Sequence, residues 1–151
     1  MNSNRPFIEE AKKVMTFDLE HNENGFLIEL FKDASDKKTE VYLSAAKPGA
    51  FKGYHLHRIR AARYMCVRGI MKIIVYVNGA REEYILSAEN CARLYIPKNT
   101  PTGLLNIGDD EGWLINYPDP AYDPDLKDEQ VDFTEEECES GAYLKLLNNP
   151  D

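Results

Sequence analysis

Short stretches in which apolar and polar residues alternate occupy the chain from Met15 to about residue 118, and turn-forming pairs such as Asn78-Gly79 separate them. A period of two is typical of β-strands with one buried face. We predict ten strands: Val14–Leu19, Gly25–Phe31, Thr39–Ala45, Lys52–His57, Arg63–Arg68, Met71–Val77, Glu82–Leu86, Ala92–Ile96, Gly103–Asn106 and Gly112–Tyr117. Ten short strands at this spacing predict an all-β sandwich or jelly-roll barrel.

The two ends of the chain differ from this pattern. Residues 4–14 predict a short helix with Pro6 in its first turn. Residues 119–133 form a polar, Pro- and Asp-rich tail, and residues 134–147 predict a second helix with Thr134 as its N-cap. At 151 residues, the chain fits one domain. We expect residues 1–151 to form it, with a β core over about 15–118 and a tail and helix over 119–151.

Composition narrows the class of protein. No apolar run approaches the ~20 residues that a membrane span needs, and the N-terminus lacks the apolar stretch of a secretory signal. Three widely spaced cysteines fit neither a disulfide framework nor a zinc ribbon. We therefore expect reduced thiols, a cytoplasmic location and no membrane partner.

The net charge and the distribution of positive residues indicate which kind of ligand the protein binds. The net charge of −8 argues against binding a nucleic-acid polymer. Positive residues nevertheless cluster, because seven fall within 26 positions: Lys47, Lys52, Arg58, Arg60, Arg63, Arg68 and Lys72. Such a cluster suits a small anionic ligand, although charges that merely protect a strand edge are an equal alternative.

Two of the three histidines form His55-Leu56-His57. Residues two apart on a strand point to the same face, so both imidazoles project together, into the barrel or out of it. Such a pair can ligate a metal, act as a base with its partner, or donate to an anion. A coincidental surface pair is the alternative.

The segment from Gly49 to Gly69 resembles the first cupin signature, and Cys91 to Asn106 resembles the second. In these signatures Ala62 replaces the glutamate ligand and Thr102 replaces the last histidine. Tightly held Fe, Mn or Zn takes three or four protein ligands. The resemblance therefore implies a cupin-type jelly-roll β-barrel with short terminal helices, no metal and no other cofactor.

Among metal-free cupins, the chain from about residue 24 to 124 resembles the deoxysugar-nucleotide enzymes related to dTDP-4-dehydrorhamnose 3,5-epimerase. Asn24-Gly25-Phe26-Leu27-Ile28-Glu29 is similar to that family's R-G-x-F-x-E, and Phe51-Lys52-Gly53-Tyr54-His55 is similar to its L-R-G-x-H. Leu94-Tyr95-Ile96-Pro97 matches its L-x-I-P, and Tyr122-Asp123-Pro124 its Y-x-P.

Other features fit a sister group. Ala62 stands where the epimerases carry a lysine, and Thr102 where they too carry a histidine. The H-x-H pair resembles the R-G-x-H-A-H motif of the sugar-nucleotide 3,4-ketoisomerases. That group lacks the Tyr122 tail, so the sequence lies between two related chemistries.

The resemblance implies roles for named residues. His55 is the expected base, Tyr122 the opposing acid, and His57 a second catalytic group. The expected substrate-binding residues are Phe26 and Glu29 for the nucleotide, Lys52, Arg58 and Arg60 for phosphate, and His57, Arg63 and Lys72 for the enolate oxygen. Strand alternation places Arg63 on the strand face opposite to Ala62, the position of the family's lysine. Instead of a catalytic role, Tyr122 can be an aromatic residue packed in a loop, and instead of binding the nucleotide, Glu29 can be a solvated strand residue. The sequence does not identify the carboxylate that orients His55.

The leading hypothesis is a metal-independent epimerase or isomerase of a nucleotide-linked 4-keto-6-deoxyhexose, of the 3,5-epimerase type because of Tyr122. A sugar-nucleotide 3,4-ketoisomerase is the first alternative. A non-catalytic cupin that binds a small anionic sugar is the second, and a cupin holding a metal loosely through the two histidines is the third. The resemblance also implies a homodimer.

Overall fold

The computed structural model describes residues 4–11, 13–17, 21–28, 30, 41–120, 125–126 and 128–148. Within these ranges the chain is predominantly β-structure, which confirms the all-β class. The strands are β1 (Phe7–Glu10), β2 (Lys13–Phe17), β3 (Glu23–Ile28), β4 (Tyr42–Ala46), β5 (Phe51–His57), β6 (Ala62–Arg68), β7 (Ile70–Val77), β8 (Ala80–Ser87), β9 (Ala92–Ile96), β10 (Thr102–Asn106), β11 (Gly112–Asn116) and β12 (Gln130–Asp132), and the helices are α1 (Glu135–Glu139) and α2 (Ala142–Asn148).

The strands form two five-stranded antiparallel sheets and one hairpin. Sheet I has the order β1-β9-β6-β11-β4, and sheet II has the order β12-β5-β10-β7-β8. Strands β2 and β3 pair only with each other among the described strands. Each of the ten predicted strands has a counterpart, most with shifted ends, and the predicted ends at Leu19, Phe31 and Thr39 lie outside the described residues. The Asn78-Gly79 turn joins β7 to β8, with φ of 52° and 80° at its two residues, as a tight hairpin turn requires.

The main core lies between the two sheets. Sheet I contributes small and apolar residues such as Ala62, Leu94 and Leu114, and sheet II contributes Ile73 and Val75. Each of these side chains is at most 7 % exposed. Because strand residues alternate between faces, this core fixes the inward face of every strand that lines it.

A second apolar layer covers the outer face of sheet II. Tyr54 and Leu56 of β5 pack there against Cys138 of α1 and Tyr143 of α2. The Tyr54 hydroxyl also donates to Glu135 at the start of α1 (3.2 Å). Since the helices hold Tyr54 and Leu56 outward, His55 and His57 must point inward. The structure thereby decides a question that the sequence left open.

The predicted N-terminal helix over residues 4–14 is wrong. Phe7–Glu10 forms β1, which pairs antiparallel with β9, Phe7 opposite Tyr95. The Phe7 and Tyr95 rings lie 4.7 Å apart, and the Glu9 carboxylate lies 3.5 Å from the Arg93 guanidinium. These contacts with an otherwise open sheet edge outweigh the helix propensity of the Glu- and Lys-rich segment.

The predicted C-terminal helix is confirmed but divided. Thr134 caps α1 in a capping box with Glu137, and Gly141, at φ +75°, separates α1 from α2. Neither helix in the described ranges is long and apolar enough to cross a membrane. The three thiols, which all lie in described segments, are free.

Replacing the fully buried Ile73 by alanine should destabilise the fold. The change removes apolar contacts at the centre of the inter-sheet core and should lower the free energy of unfolding by about 2–5 kcal/mol. Ile85, on the neighbouring strand, is 49 % exposed, and Ile85→Ala should cost under about 1 kcal/mol. Urea denaturation of both variants checks the difference, and equal losses would contradict the assigned core.

Candidate active site

A cleft of about 180 Å³ lies between the two sheets at the inward face of β5. Sheet II contributes Lys52, His55, His57, Thr102, Leu104 and Gln130, sheet I contributes Tyr42, Ser44, Tyr64, Leu114 and Asn116, and Arg60 lies in the loop after β5. One wall therefore carries the histidines and the facing wall carries two tyrosines and an asparagine.

His55 forms a close pair with a carboxylate from the C-terminal part of the chain. Its Nδ1 lies 2.6 Å from Oδ1 of Asp132, because β12 pairs with β5 in a register that places Asp132 opposite His55. The hydrogen bond from His55, followed by one from Gln130, holds the pKa of Asp132 below its ordinary value. Asp132 is therefore an anion that orients the imidazole and leaves Nε2 as the free ring nitrogen.

His57 occupies a different environment. Its Nδ1 lies 3.3 Å from Oε2 of Glu129 and 3.3 Å from Nε of Arg60. Arg60 Nε also donates to Oε1 of Glu129 (3.2 Å). Glu129 and Arg60 are 6 % and 9 % exposed, so each neutralises the other in a site where an isolated charge would be costly.

The charge state of His57 follows from these neighbours. Burial and then the positive charge of Arg60 lower the pKa of His57, and Glu129 partly offsets them. His57 is accordingly neutral near pH 7. At Nδ1 it meets both a donor, Arg60, and an acceptor, Glu129, so this pair can satisfy either neutral tautomer.

The facing wall carries uncharged hydrogen-bonding groups. Burial, together with the neighbouring Tyr42, raises the pKa of Tyr64, so its hydroxyl remains protonated. Asn116 Nδ2 donates to the hydroxyl of Tyr42 (2.7 Å). These side chains are available to a ligand held between the sheets.

Some expected substrate-binding residues reach this cleft and others do not. Lys52 lines it and donates to Ser44 (3.1 Å), and Arg60 lines it beside His57. Arg58 is not among the lining residues, although its backbone N–H donates to the carbonyl of Glu129 (2.7 Å).

Arg63 and Lys72 lie on outer faces. The Arg63 guanidinium stacks over the ring of Tyr95, 4.9 Å from its centroid, as strand alternation predicts. Lys72 alternates with the buried Met71 and Ile73, and its Nζ lies 3.5 Å from Glu83. Neither residue lines this cleft, because the strand backbone separates their side chains from it.

Three expected residues fall outside this description. Tyr122 and Glu29 lie outside the described residues, and for Phe26 only the backbone, in β3, is described. Their roles remain predictions from the resemblance.

The structure describes both positions at which the sequence replaces a metal ligand of the cupin signatures. Ala62 lies in the inter-sheet core, and the Thr102 hydroxyl donates to the carbonyl of Thr100 (3.0 Å). In the described part of the chain, no group of three or more His, Cys, Asp or Glu residues is arranged to hold a metal ion.

Sequence reasoning missed the two carboxylates, Glu129 and Asp132, and the facing wall of Tyr42, Tyr64 and Asn116. The only sequence signal for the carboxylates was a brief alternation around Val131, in a segment interpreted as an irregular tail. Tyr64 and Asn116 lie on predicted strands, where they alternate with residues that point outward. Assigning an inward face to each of these strands would have placed both side chains in the cleft.

Comparison with known proteins places the chain in a family. Residues 20–130 match the model of the polysaccharide biosynthesis C-terminal domain, so the chain belongs to that family. A curated relative is a probable low-salt glycan biosynthesis epimerase of Haloferax volcanii, 26 % identical over 121 residues, which cover 72 % of this chain and 78 % of the relative.

Solved structures share the fold. A 4-keto-6-deoxy sugar epimerase from the novobiocin gene cluster of Streptomyces spheroides superposes with a TM-score of 0.68 at 17 % identity, covering 86 % of this chain and 69 % of its own. A sugar 3,4-ketoisomerase from Thermoanaerobacterium thermosaccharolyticum, in complex with TDP, gives 0.69 at 17 % identity and covers 96 % and 98 %. The fold shared with these two structures covers 86 % and 96 % of this chain.

Replacing Glu129 by glutamine should lower the pKa of His57 further. The change removes the carboxylate that favours the imidazolium and leaves the burial and the Arg60 charge that oppose it. NMR titration of the histidine rings in the folded protein measures the shift.

The matched control is Asp132→Asn, which removes the carboxylate beside His55 and should lower the pKa of His57 by less than Glu129→Gln does, because Glu129 is the closer carboxylate to His57. A rise in the pKa of His57 in Glu129→Gln would contradict the assigned contacts.

Proposed function

We propose that this protein is a metal-independent epimerase or isomerase that removes a proton next to the ketone of a nucleotide-linked 4-keto-6-deoxyhexose, in the manner of the 3,5-epimerases. The contact of His55 with Asp132, at the wall of a cleft between two sheets, carries the proposal. An imidazole is a suitable base at neutral pH, and an adjacent carboxylate stabilises the cation that forms.

In the first step the C–H bond next to the ketone breaks. The proton goes to Nε2 of His55, and the electron pair passes into the carbonyl to give an enolate. Asp132, already ionised and bonded to Nδ1, offsets the new charge on the ring. The nearby Gln130 amide nitrogen, 3.1 Å from Oδ1 of Asp132, holds that carboxylate in place.

The enolate oxygen needs a hydrogen-bond donor or a positive group directed at it. Lys52 and Arg60 line the same cleft and supply positive charge. Neutral His57, when Arg60 donates to its Nδ1, carries its own proton on Nε2 and can donate to the oxygen.

Epimerisation requires a proton to return from the opposite side of the sugar ring. Tyr64, protonated and placed on the wall that faces the histidines, is a donor with the required location, and Tyr122 remains the donor predicted from the resemblance. Return of the proton to the other face inverts the stereocentre.

A 3,4-ketoisomerase is the second candidate, and one observation favours it: His57 shares the cleft with His55. A second imidazole on the same wall suits proton movement between the neighbouring oxygens and carbons of one ring face, which transfers the ketone rather than inverting a centre. The Thermoanaerobacterium ketoisomerase matches nearly the whole chain.

The relatives support a nucleotide-sugar substrate. A related Streptomyces bikiniensis 3′-monoepimerase was solved with dTDP-quinovose, and the Thermoanaerobacterium enzyme with TDP-4-keto-6-deoxyglucose. With this substrate class we also propose that residues 1–151 form one cupin domain whose two sheets close into a jelly-roll barrel, and that the protein acts as a homodimer in the cytoplasm without a cofactor.

Solvent-exchange NMR tests the proposal. Incubation of dTDP-4-keto-6-deoxyglucose with the protein in deuterium oxide should place deuterium at C3, at C5 or at both. His55→Asn should slow this exchange by about 10²-fold or more because it removes the general base. Asp132→Asn should slow it by at least about tenfold, because the charged imidazole loses its counter-ion.

The control is Asp109→Asn, an exposed aspartate in the β10–β11 loop, which should exchange at the wild-type rate. Inverted signals at C3 or C5 identify an epimerase, and a ketone at C3 identifies a ketoisomerase. Absence of exchange in the wild type would refute the enzymatic proposal and leave a cupin that binds a sugar without reacting it.

The homodimer is tested by light scattering coupled to size exclusion. The chain mass is 17.3 kDa, so a particle of twice that mass is expected. A particle of the single-chain mass at micromolar concentration would refute the dimer.

A further inference from the structure

Asn116, on the wall opposite the histidines, carries a buried polar atom without a partner. The residue is 5 % exposed, and its Nδ2 donates to the Tyr42 hydroxyl at 2.7 Å. Its Oδ1 is buried and accepts no hydrogen bond from the described residues. An unpaired buried carbonyl costs about 1–3 kcal/mol, so its retention calls for an explanation.

The position of Asn116 in β11 directs its side chain between the sheets. Asn116 ends β11, where it is opposite Tyr42 on one side and Tyr64 on the other. Leu114, two residues earlier on the same face, is 2 % exposed in the inter-sheet core. The side chain of Asn116 is thus directed between the sheets, and Tyr42 holds one end of its amide.

The size of the cleft indicates which part of a nucleotide sugar reaches Asn116. Drug-sized ligands occupy pockets of about 300–1,000 Å³, whereas this cleft measures about 180 Å³ and holds only a portion of such a ligand. His55 must reach a C–H bond of the sugar to act on it, so that portion is the hexose ring. The facing wall then contacts ring substituents rather than the base.

We propose that Asn116, oriented by Tyr42, determines substrate specificity by accepting a hydrogen bond from a ring hydroxyl of the hexose. This inference rests on the proposed function. The oxygen of the Tyr42 hydroxyl accepts the hydrogen bond from Asn116. The hydrogen of that hydroxyl can therefore be donated to the same sugar oxygen or to the adjacent one. The pair presents an acceptor and a donor side by side, which matches a hydroxyl and disfavours a sugar lacking oxygen at that carbon.

The test compares two ligands and two substitutions. Calorimetric binding of dTDP-linked 6-deoxyglucose, which carries a hydroxyl in place of the ketone, is measured beside binding of dTDP alone. Asn116→Leu removes the acceptor at similar volume and should weaken the sugar ligand about tenfold or more, leaving dTDP within about twofold. Asn116→Asp keeps an acceptor but draws the Tyr42 hydrogen to itself, so it should weaken the sugar ligand less than Asn116→Leu does.

Each alternative outcome is decisive. Equal weakening of both ligands by Asn116→Leu would assign the residue to the nucleotide and overturn the inference, as would unchanged binding of both. An equal loss of affinity for the sugar ligand in Asn116→Asp and Asn116→Leu would mean that the amide acts through Nδ2. That result would contradict the proposal that Asn116 accepts a hydrogen bond from the sugar. Failure of the wild type to bind either ligand would refute the proposed function and this inference together.

A second variant keeps the test open if Asn116→Leu does not fold. Tyr42→Phe removes only the hydroxyl that orients the amide, and it should weaken the sugar ligand by at least about threefold while leaving dTDP unchanged. Ser44→Ala, on the same strand and lining the same cleft, is the matched control for losing one hydroxyl there. A smaller loss in Tyr42→Phe than in Ser44→Ala would refute the orienting role.

Discussion

The pairing of β12 with β5 is the constraint on which the site depends. Three residues of β12 match three of β5, with Asp132 opposite His55 and Gln130 opposite His57. The same strand is bound on its outer face by the helices that follow β12 directly, through Tyr54 and Leu56. One short C-terminal segment thus directs the histidines inward and delivers the carboxylates that contact them, so orientation and electrostatics have a common origin.

His55 and His57 lie in different electrostatic environments because their carboxylate partners, Asp132 and Glu129, have different surroundings. Asp132 is solvent-exposed, with its side chain 70 % accessible, and its carboxylate contacts His55 and Gln130. Glu129 is buried and already shared with Arg60, so it only partly offsets the effect of that arginine on His57. Under the proposed function, identical side chains two residues apart have separate tasks, one as proton acceptor and one as neutral hydrogen-bonding group.

Sequence periodicity predicted the strands, which depend on neighbouring residues, and missed the contacts between residues that are far apart in the chain. The strands around the inter-sheet core were found because alternation along a strand reports directly on which face is buried. Phe7–Glu10 was mistaken for part of a helix because it follows Pro6, which is typical of a first helical turn, and contact with Tyr95 and Arg93 makes it a strand. β12 is three residues long, so its brief alternation is too short to predict a strand, and the partners of His55 and His57 could not be assigned without its register.

The separation along the chain between each histidine and its carboxylate has a consequence for biosynthesis. His55 and Asp132 are 77 residues apart, and His57 and Glu129 are 72 apart. Every core residue contributed by the two sheets precedes residue 115, so a nascent chain can pack its sheets before either carboxylate leaves the ribosome. His55 and His57 therefore acquire their carboxylate partners late in synthesis, after every residue of the inter-sheet core has been added.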